Sequence, residues 1–396
     1  MSAPRLQLGV AGLGRAFTLM LPTLAHDPRV QLVGATDPQP AACAQFERDF
    51  GVTCDADVAA LCRNPKVQAL YIATPHACHA EHVEMAAAHG KHVMVEKPMA
   101  LTLDECTRMI DATTRAGVTL MVGHSHSFNA PILKTLELIQ SGAYGAVRMI
   151  HALNYTDFLY RPRRPEELDT QAGGGVIFSQ AAHQVDIVRL LGGGKVSSVM
   201  AHTGAWDPAR PTEGAYSALL GFANGAFASM TYSGYGHFDS DRWMGNVGEL
   251  GQAKEASDHG AARRRLLQTS ASNEAELKAA RNYGAAQWTG GLNLPAQRQH
   301  QHFGPLIVSC EGADLRPTPE GVWVDDHFEV HLHALPGPRV PRQEVIDEFY
   351  NAIVHHQPVL HSGTWARATT AVSLAMLTAA HTGQVQTPAF QVAPGQ

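Results

Sequence analysis

The first 125 residues alternate short, continuous apolar runs with stretches of helical periodicity, and this alternation limits the fold more than any other feature. The apolar runs predict five strands, at Leu6–Ala11, Val30–Thr36, Ala69–Ala73, His92–Val95 and Thr119–Val122. Strands that are apolar on both faces are typical of parallel sheets covered by crossover helices. We therefore expect residues 1–125 to form an α/β domain with a doubly wound parallel sheet.

The pattern changes after Gly123. The next strand candidates are Ala146–Leu153, Val196–Thr203, Tyr216–Phe222, Ala226–Tyr232, Leu306–Glu311 and Val322–His333. Several of them alternate apolar with polar residues, as strands of an antiparallel sheet with one solvated face do. We expect residues 126–396 to form a C-terminal α+β domain around a large, open, mainly antiparallel sheet. A polar segment at about 239–302, with a helix at Glu274–Arg281, reads as an insertion into this domain.

Composition excludes several classes of protein. With 45% hydrophobic and 17% charged residues, the 396-residue chain is neither disordered nor fibrous. A formal net charge of −6 argues against binding to nucleic acid or to an anionic membrane. The sequence shows no signal peptide, no apolar run of transmembrane length and no CxxC pair among its six cysteines. These features predict a cytoplasmic protein.

A glycine motif follows the first strand. Gly12 permits a tight turn, and Gly14 lets the backbone approach a pyrophosphate at the N-terminus of the next helix. Phe17 stands where such motifs place a third small residue. Asp37 ends the second strand, near the spacing of about 20 residues expected for the carboxylate that binds a ribose diol. The alternative is an ordinary strand–helix turn with Asp37 as a helix cap. A carboxylate here would repel a 2′-phosphate, which favours NAD over NADP.

Two further strand ends point to the same crevice, because ligands of open α/β sheets bind beyond the carboxyl ends of the strands. Thr74 and Pro75 end the third strand, and Glu96 and Lys97 end the fourth. The residues predicted to bind the cofactor are Gly12, Gly14, Arg15, Ala16, Asp37, Thr74, Pro75, His79, Glu96, Lys97 and Pro98.

These motifs, with the triple glycine at 173–175 and the pair His183 and Asp186, resemble the Gfo/Idh/MocA family of NAD(P)-dependent oxidoreductases. The resemblance implies a Rossmann domain followed by an open-sheet domain that commonly mediates a homo-oligomer, a dimer or a tetramer. It also implies that Lys97 and His183 flank the nicotinamide and the reacting carbon.

The chemistry of an alcohol oxidation suits these two residues. Lys97, one of only seven lysines, can take the hydroxyl proton if burial lowers its pKa. A solvated lysine paired with Glu96 is the alternative. On a helix predicted at Phe178–Leu191, Ser179 and Asp186 share one face with His183. Asp186 could then fix the tautomer of His183. Many sugar-oxidising relatives carry aspartate where Ser179 stands, which speaks against a polyol substrate.

An arginine-rich segment precedes this helix. Arg161, Arg163 and Arg164 lie between prolines and aromatic residues, and guanidinium groups bind carboxylates with two hydrogen bonds. A charged surface loop is the alternative. The residues predicted to contact substrate are Arg161, Arg163, Arg164, His124, His126, Asn129, Tyr155 and Asp186. Histidine pairs elsewhere lack the clustered carboxylates or thiolates of a metal site, so no metal is expected.

The segment from Arg161 to Asp186 resembles the members of the family that oxidise aromatic cis-dihydrodiols. That resemblance implies a small anionic substrate such as phthalate 4,5-cis-dihydrodiol, giving 4,5-dihydroxyphthalate and NADH. Two alternatives stay open: a sugar or inositol dehydrogenase of the same fold, and a dinucleotide-binding regulator without turnover.

Overall fold

The structure is a computed structural model that describes residues 4–268, 273–288, 290, 292, 294 and 299–396. The other positions, which include the start of the chain and part of the insertion predicted at about 239–302, lie outside the described residues. The described chain contains two β-sheets.

The first sheet has five parallel strands, as the apolar runs predict. They are β1 (Leu6–Ala11), β2 (Val30–Thr36), β3 (Ala69–Ile72), β4 (His92–Val95) and β5 (Leu120–Val122). Their order in the sheet is β2-β1-β3-β4-β5. Because the order reverses at β1 and β3, a crevice opens beyond the carboxyl ends of these two strands.

Helices connect these strands. They are α1 (Arg15–His26), α2 (Pro40–Phe50), α3 (Val58–Arg63), α4 (His79–Ala88) and α5 (Leu103–Ala116). The ends of α5 show how local sequence sets the boundaries. The Thr102 hydroxyl accepts from the Glu105 N–H while the Glu105 carboxylate accepts from the Thr102 N–H, and Gly117 ends the helix at a φ of +65°.

The second sheet has eight strands. They are β6 (Val147–Tyr155), β7 (Val196–Gly204), β8 (Ala215–Phe222), β9 (Phe227–Ser233), β10 (Leu306–Cys310), β11 (Ala313–Thr318), β12 (Gly321–Asp326) and β13 (Val330–Ala334). The order is β13-β12-β11-β10-β6-β9-β8-β7. Only β6 and β9 pair in parallel, so the predicted mainly antiparallel sheet is confirmed.

Helices cover one face of this second sheet. They are α6 (Ala130–Gln140), α7 (Ala182–Gly192) and α11 (Gly363–Thr382). On the opposite face, Leu219, Phe227 and Ile307 are exposed. Two short helices, α8 (Ala261–Leu267) and α9 (Glu274–Ala279), lie in the segment predicted as an insertion.

The helix α10 (Gln343–Val354) joins the core of the first sheet, although the boundary predicted at residue 125 would assign it to the second domain. Val345, Ile346 and Phe349 are fully buried in the cluster that contains Leu8 and Val10 of β1. As a result, the chain that enters α10 passes beside the crevice of the first sheet.

Three local predictions differ from the structure. The single strand predicted at Val322–His333 is a hairpin of β12 and β13, because Asp326 Oδ1 accepts from the N–H groups of Phe328 and Glu329 and closes a turn. The sequence did not predict the strand β11, because Pro317 and charged residues interrupt its apolar pattern. The helix predicted at Phe178–Leu191 begins as a π-helical turn, Ile177–Ala181, before α7.

Within the described residues, no helix combines the length and the apolar character needed to cross a bilayer. All six cysteines are free thiols.

Candidate active site

The loop between β1 and α1 approaches β3 closely. Gly12 has a φ of +93°, and a Cβ placed on it would lie 2.7 Å from the main-chain oxygen of Ala73, so only glycine fits here. Gly14 differs, because a Cβ placed there meets no atom within 4 Å. The backbone at Gly14 therefore faces open space that a ligand can occupy.

The N-terminus of α1 lies beside this space. Gly14 is its N-cap residue and offers no side chain to cap the helix, so the N–H groups of the first turn, which includes Arg15 and Ala16, are left to a ligand. A helix N-terminus carries partial positive charge and unpaired N–H donors, which together bind phosphate. This geometry fits the pyrophosphate of NAD.

The carboxylate of Asp37 reaches across to the same loop. Its Oδ2 accepts from the Leu13 N–H at 2.7 Å, and its Oδ1 accepts from the Gln39 N–H at 2.8 Å. The bond to Gln39 is the local capping that the sequence analysis left as an alternative. The bond to Leu13, however, holds the carboxylate beside the glycine loop. Each oxygen keeps a further lone pair, so Asp37 can also accept from the hydroxyls of a ribose.

His79 links the loop after β3 to the loop after β4 by hydrogen bonds. Its ring is fully buried, and its nitrogens lie 3.0–3.2 Å from the main-chain oxygens of Thr74, Pro98 and Met99. The sequence predicts that His79 contacts the cofactor, but in this structure its ring has no exposed surface for a direct contact. Thr74 is half-buried and Pro75 is exposed, so these two residues lie at the edge of the crevice.

Glu96 supports the same edge. It is buried, and its Oε1 accepts from the Tyr71 hydroxyl at 2.6 Å. Burial raises the pKa of Glu96, while the Tyr71 hydrogen bond and the charge of Arg342 oppose this effect. The carboxylate is thus bound to Tyr71 rather than paired with Lys97.

Lys97 extends from the end of β4 towards the turn before α7. Its amine donates to the main-chain oxygen of Ser179 at 2.8 Å. Burial lowers the pKa of Lys97, and the positive charges of Arg342 and Arg163 lower it further, against the carboxylates of Glu96 and Glu249. A lysine in these surroundings can lose its proton and act as a neutral base, which the predicted alcohol oxidation requires.

His183 lies in an aromatic cluster beside Lys97. The centre of its ring is 4.8 Å from that of His126, 5.1 Å from that of Phe303 and 6.4 Å from that of His124. Burial lowers the pKa of His183 well below its usual value, and the charge of Lys97 adds to this effect, so the imidazole is neutral. Its Nδ1 is buried without a hydrogen-bond partner among the described residues.

The carboxylate of Asp186 accepts hydrogen bonds from residues other than His183, although both residues lie on α7. Asp186 Oδ1 accepts from Trp365 Nε1 at 2.6 Å and from Thr369 Oγ1 at 2.9 Å, and Oδ2 accepts from the Ser127 hydroxyl. All of these bonds hold α7 to its neighbours. Asp186 is therefore a structural anchor, and its predicted roles towards His183 and substrate stay predictions.

Ser179 lies in the π-helical turn that precedes α7. The hydroxyl of Ser179 donates to the main-chain oxygen of Gly175. Its main-chain oxygen, not its side chain, contacts the amine of Lys97.

The predicted histidine wall is assembled by Asn129. The Asn129 Oδ1 lies 3.4 Å from Nε2 of His124, and its Nδ2 donates to Nδ1 of His126 at 3.0 Å and to the main-chain oxygen of Gln301 at 2.9 Å. These three predicted residues therefore do meet beside His183. Burial lowers the pKa of both His124 and His126.

The three arginines of the predicted clamp have different surroundings. Arg163 stacks on the Phe158 ring at 3.6 Å and donates to the Phe158 main-chain oxygen at 2.6 Å. Its Nε is buried without a partner among the described residues. Arg161 lies 3.7 Å from Asp157, and its charge acts on Glu249 and Tyr232 in the site.

Arg164 does not join them. Its guanidinium lies 3.0 Å from Glu166 and 3.6 Å from Glu167, and 46% of its side chain is exposed. Tyr155 is also displaced, because it continues the outward-facing positions of β6 and its ring contacts Phe238. Neither Arg164 nor Tyr155 contacts the other predicted groups in this structure, and their substrate roles stay predictions.

Arg342 is a functional candidate that the sequence did not reveal. It caps α10 at a φ of +54°, a conformation that a residue with a side chain rarely adopts. Its guanidinium is buried, donates to Gln301 Oε1 at 3.2 Å and acts by charge on Lys97, His183 and Glu96. Only the packing of α10 on the first sheet brings it here, so no local motif could mark it.

Glu249 is the second unpredicted candidate. It comes from the segment read as an insertion, and its Oε1 lies 3.2 Å from Nε2 of His126. The crevice thus contains an amine of lowered pKa, imidazoles of lowered pKa, the carboxylates of Glu96 and Glu249, and several guanidinium groups. Such a set can accept a hydroxyl proton and bind an anion.

Two family models match the chain. Residues 6–124 match the model described as "Oxidoreductase family, NAD-binding Rossmann fold", and residues 132–254 match the "GFO/IDH/MocA C-terminal domain". The second match ends inside the segment predicted as an insertion and includes Glu249.

Individual proteins are similar over nearly the whole chain. A 1-carboxy-3-chloro-3,4-dihydroxycyclohexa-1,5-diene dehydrogenase from Comamonas testosteroni is 50% identical over 374 residues, which is 94% of each chain. A crystal structure from Bordetella bronchiseptica RB50 has a TM-score of 0.91 at 42% identity and covers 97% of this chain and all of that one.

A more distant structure shares the fold. It is an oxidoreductase from Agrobacterium radiobacter in complex with NAD⁺, L-tartaric acid and magnesium. Its TM-score is 0.70 at 17% identity, and the match covers 97% of this chain and 98% of that one.

Proposed function

Because the chain belongs to the Gfo/Idh/MocA family of oxidoreductases, we propose that it oxidises a carboxylated aromatic cis-dihydrodiol, with phthalate 4,5-cis-dihydrodiol as the substrate and 4,5-dihydroxyphthalate as the product. The chain is an NAD-dependent dehydrogenase. The choice of substrate rests on one observation, which is that Lys97 and guanidinium groups lie in the same crevice. The dihydrodiol named for the Comamonas testosteroni relative, which carries a carboxyl group, supports it.

The arginines favour an anionic substrate over a sugar. Arg161, Arg163 and Arg342 all act by charge on groups of the site, whereas a neutral polyol would be bound better by uncharged hydrogen-bonding groups. A dicarboxylate also offsets part of this positive charge when it binds. Ser179, which turns its hydroxyl away from Lys97, offers no substitute for the aspartate of sugar-oxidising relatives.

The reaction follows from the groups around Lys97. Bound NAD supplies the hydride acceptor. The neutral amine of Lys97 accepts the proton of one hydroxyl while the hydride leaves the same ring carbon. His183 donates a hydrogen bond to the reacting oxygen and orients it. The neighbouring ring carbon then loses its proton and the new ketone oxygen gains one, which converts the hydroxyketone into a catechol, and aromatisation makes the overall step strongly favourable.

A second candidate substrate is a dihydrodiol with a single carboxylate and a ring chlorine, as in the name of the Comamonas testosteroni relative. One carboxylate requires fewer guanidinium partners than Arg161, Arg163 and Arg342 provide. We therefore rank phthalate 4,5-cis-dihydrodiol first.

A steady-state assay of NADH absorbance tests the proposal. The panel contains phthalate 4,5-cis-dihydrodiol, the chlorinated monocarboxylate, a neutral cis-dihydrodiol and myo-inositol, each with NAD and with NADP. We expect the highest kcat/KM for the phthalate compound with NAD. A preference for myo-inositol would identify a polyol dehydrogenase. Binding of NAD without turnover of any diol would identify a regulator.

We further propose a homo-oligomer formed through the open face of the second sheet. Leu219 and Ile307 are exposed there, and they lie in one cross-strand row through Ser229 and His151. Light scattering of the wild type and of Leu219→Glu tests this, since a charge on the buried face of an oligomer would shift the mass towards the monomer. The free thiols support the proposed cytoplasmic location.

A further inference from the structure

We propose that Glu249 binds the substrate directly, accepting a hydrogen bond from the diol hydroxyl that is not oxidised. This inference rests on the proposed function, because it assumes a diol with one hydroxyl at Lys97. It also assigns a role to the segment at about 239–302, which the sequence alone left as an insertion of unknown purpose.

A tight turn carries Glu249 into the site. Val247 and Ala253 form an antiparallel bridge, and the Gly248 N–H donates to the main-chain oxygen of Gln252 at 2.6 Å, which closes the turn. The main-chain oxygen of Glu249 accepts from the His302 N–H at 3.3 Å. The backbone at Glu249 is thus held on both sides, so the position of its side chain is defined.

The hydrogen bonds of His126 fix how Glu249 is held. Because the Asn129 amide donates to Nδ1 of His126 and to the main-chain oxygen of Gln301, this Nδ1 is an acceptor. The proton of the neutral ring is then on Nε2, which donates to Glu249 Oε1 at 3.2 Å. The other oxygen, Oε2, receives no hydrogen bond from a described residue and can accept one from substrate.

The position of the carboxylate supports a contact with substrate. Glu249 is 25% exposed at its side chain, whereas its partner His126 is 2% exposed. The carboxylate therefore lies at the boundary between the buried aromatic cluster and the open crevice. The His126 ring packs at 4.8 Å against the His183 ring, so the groups for the two hydroxyls of a diol are neighbours.

The surrounding charges keep Glu249 an acceptor. Burial by itself raises the pKa of Glu249, but the hydrogen bond from His126 and the charge of Arg161 lower it below its usual value. An ionised carboxylate accepts from a hydroxyl and repels a ring carboxylate. Glu249 would thus also fix the orientation of the ring, with the diol towards Lys97 and the carboxylates towards the arginines.

The test compares Glu249→Gln with the wild type on two substrates, phthalate 4,5-cis-dihydrodiol and the corresponding ring alcohol that lacks the second hydroxyl. We expect kcat/KM for the diol to fall about 10- to 100-fold, the usual cost of a hydrogen bond to a charged group. Because the charge of Glu249 also acts on the pKa of Lys97, both substrates are compared at a pH where the rate of each protein has reached its plateau, and there we expect a clearly smaller effect on the mono-alcohol. We expect no change in NAD affinity. Glu255→Gln, the same change at an exposed position of the segment, is the matched control.

Calorimetry separates this inference from the proposed function, because it needs no turnover. With NADH present, 4,5-dihydroxyphthalate should bind more tightly than 4-hydroxyphthalate to the wild type but not to Glu249→Gln. If the proteins show this difference in binding but the wild type turns over no dihydrodiol, the proposed function is overturned and the inference stands. Turnover of the diol with equal kcat/KM in both proteins, or equal losses on both substrates, would overturn the inference alone.

Discussion

The amine of Lys97 donates to the main-chain oxygen of Ser179 at 2.8 Å, which links the end of β4 to the π-helical turn before α7. The base and the helix that carries His183 are therefore fixed relative to each other by a hydrogen bond that no side chain at position 179 can alter. One N–H of the amine is used in this bond, so its lone pair is left for a substrate proton.

Lys97→Ala should abolish turnover and leave NAD binding nearly unchanged. Removing a general base typically costs about 10²- to 10⁴-fold in rate, while the pyrophosphate site at Gly14 and the carboxylate of Asp37 do not depend on Lys97. Single-turnover NADH formation and NAD titration measure the two effects. Lys66→Ala, at an exposed lysine, is the matched control. Substantial residual rate would remove Lys97 from the mechanism.

The pH dependence of kcat/KM should report the lowered pKa of Lys97. Only the neutral amine accepts a proton, so the rate should rise with pH and reach half of its maximum below the usual pKa of a lysine, about 10.4. Because Arg342 lowers this pKa by its charge, Arg342→Gln should shift the rising limb to higher pH. Arg316→Gln, at a guanidinium paired with Asp325, should not. An unshifted limb in Arg342→Gln would contradict this electrostatic role.

The sequence predicts the parts of the site that depend on local chemistry. The tight approach at Gly12, the reach of Asp37 and the end of β4 at Lys97 all follow from a few neighbouring residues, and the structure shows each of them where it was expected. The contact of His124, His126 and Asn129 also follows from their closeness along the chain.

The features of the site that the sequence does not predict have a common physical origin. The sequence did not show that the Ser179 hydroxyl donates within its own π-helical turn or that the Asp186 carboxylate accepts from Trp365. Arg342 and Glu249 reach the crevice through contacts between segments far apart in sequence. Periodicity and spacing carry no information about such contacts.

The arginines should differ in their effect on substrate binding. Arg161→Ala should raise KM for phthalate 4,5-cis-dihydrodiol about 10- to 100-fold, because it removes a cation from the site, and it should leave KM for a neutral cis-dihydrodiol unchanged. Arg164→Ala is the matched control in the same segment, since its guanidinium pairs with Glu166 and Glu167. Equal effects of Arg161→Ala on both substrates would contradict a carboxylate-binding role.

Acid should destabilise the fold through the histidines of the site. Burial lowers the pKa of His124, His126 and His183 below that of an unfolded histidine, about 6.5. Between the folded and unfolded pKa values the unfolded chain binds more protons, so this contribution to stability is present above about pH 6.5 and is lost as the pH falls. His361, whose pKa is raised beside Glu348, and Glu344, whose pKa burial raises to about 7, act in the opposite direction. Burial also lowers the pKa of His76, His79 and His300, which adds to the effect of the three site histidines. Tm should therefore decrease from pH 7 to pH 5, and a constant or rising Tm would contradict the prediction.

The anchor at Asp186 should contribute to stability rather than to catalysis. Trp365→Phe removes the indole N–H that donates to Asp186 Oδ1 at 2.6 Å and leaves a buried carboxylate with one donor fewer. We expect a loss of about 1–3 kcal/mol in the free energy of unfolding, measured by urea denaturation, with KM for the diol unchanged. Trp243→Phe, at a largely exposed indole, is the control. A changed KM without lost stability would instead place Asp186 in contact with substrate.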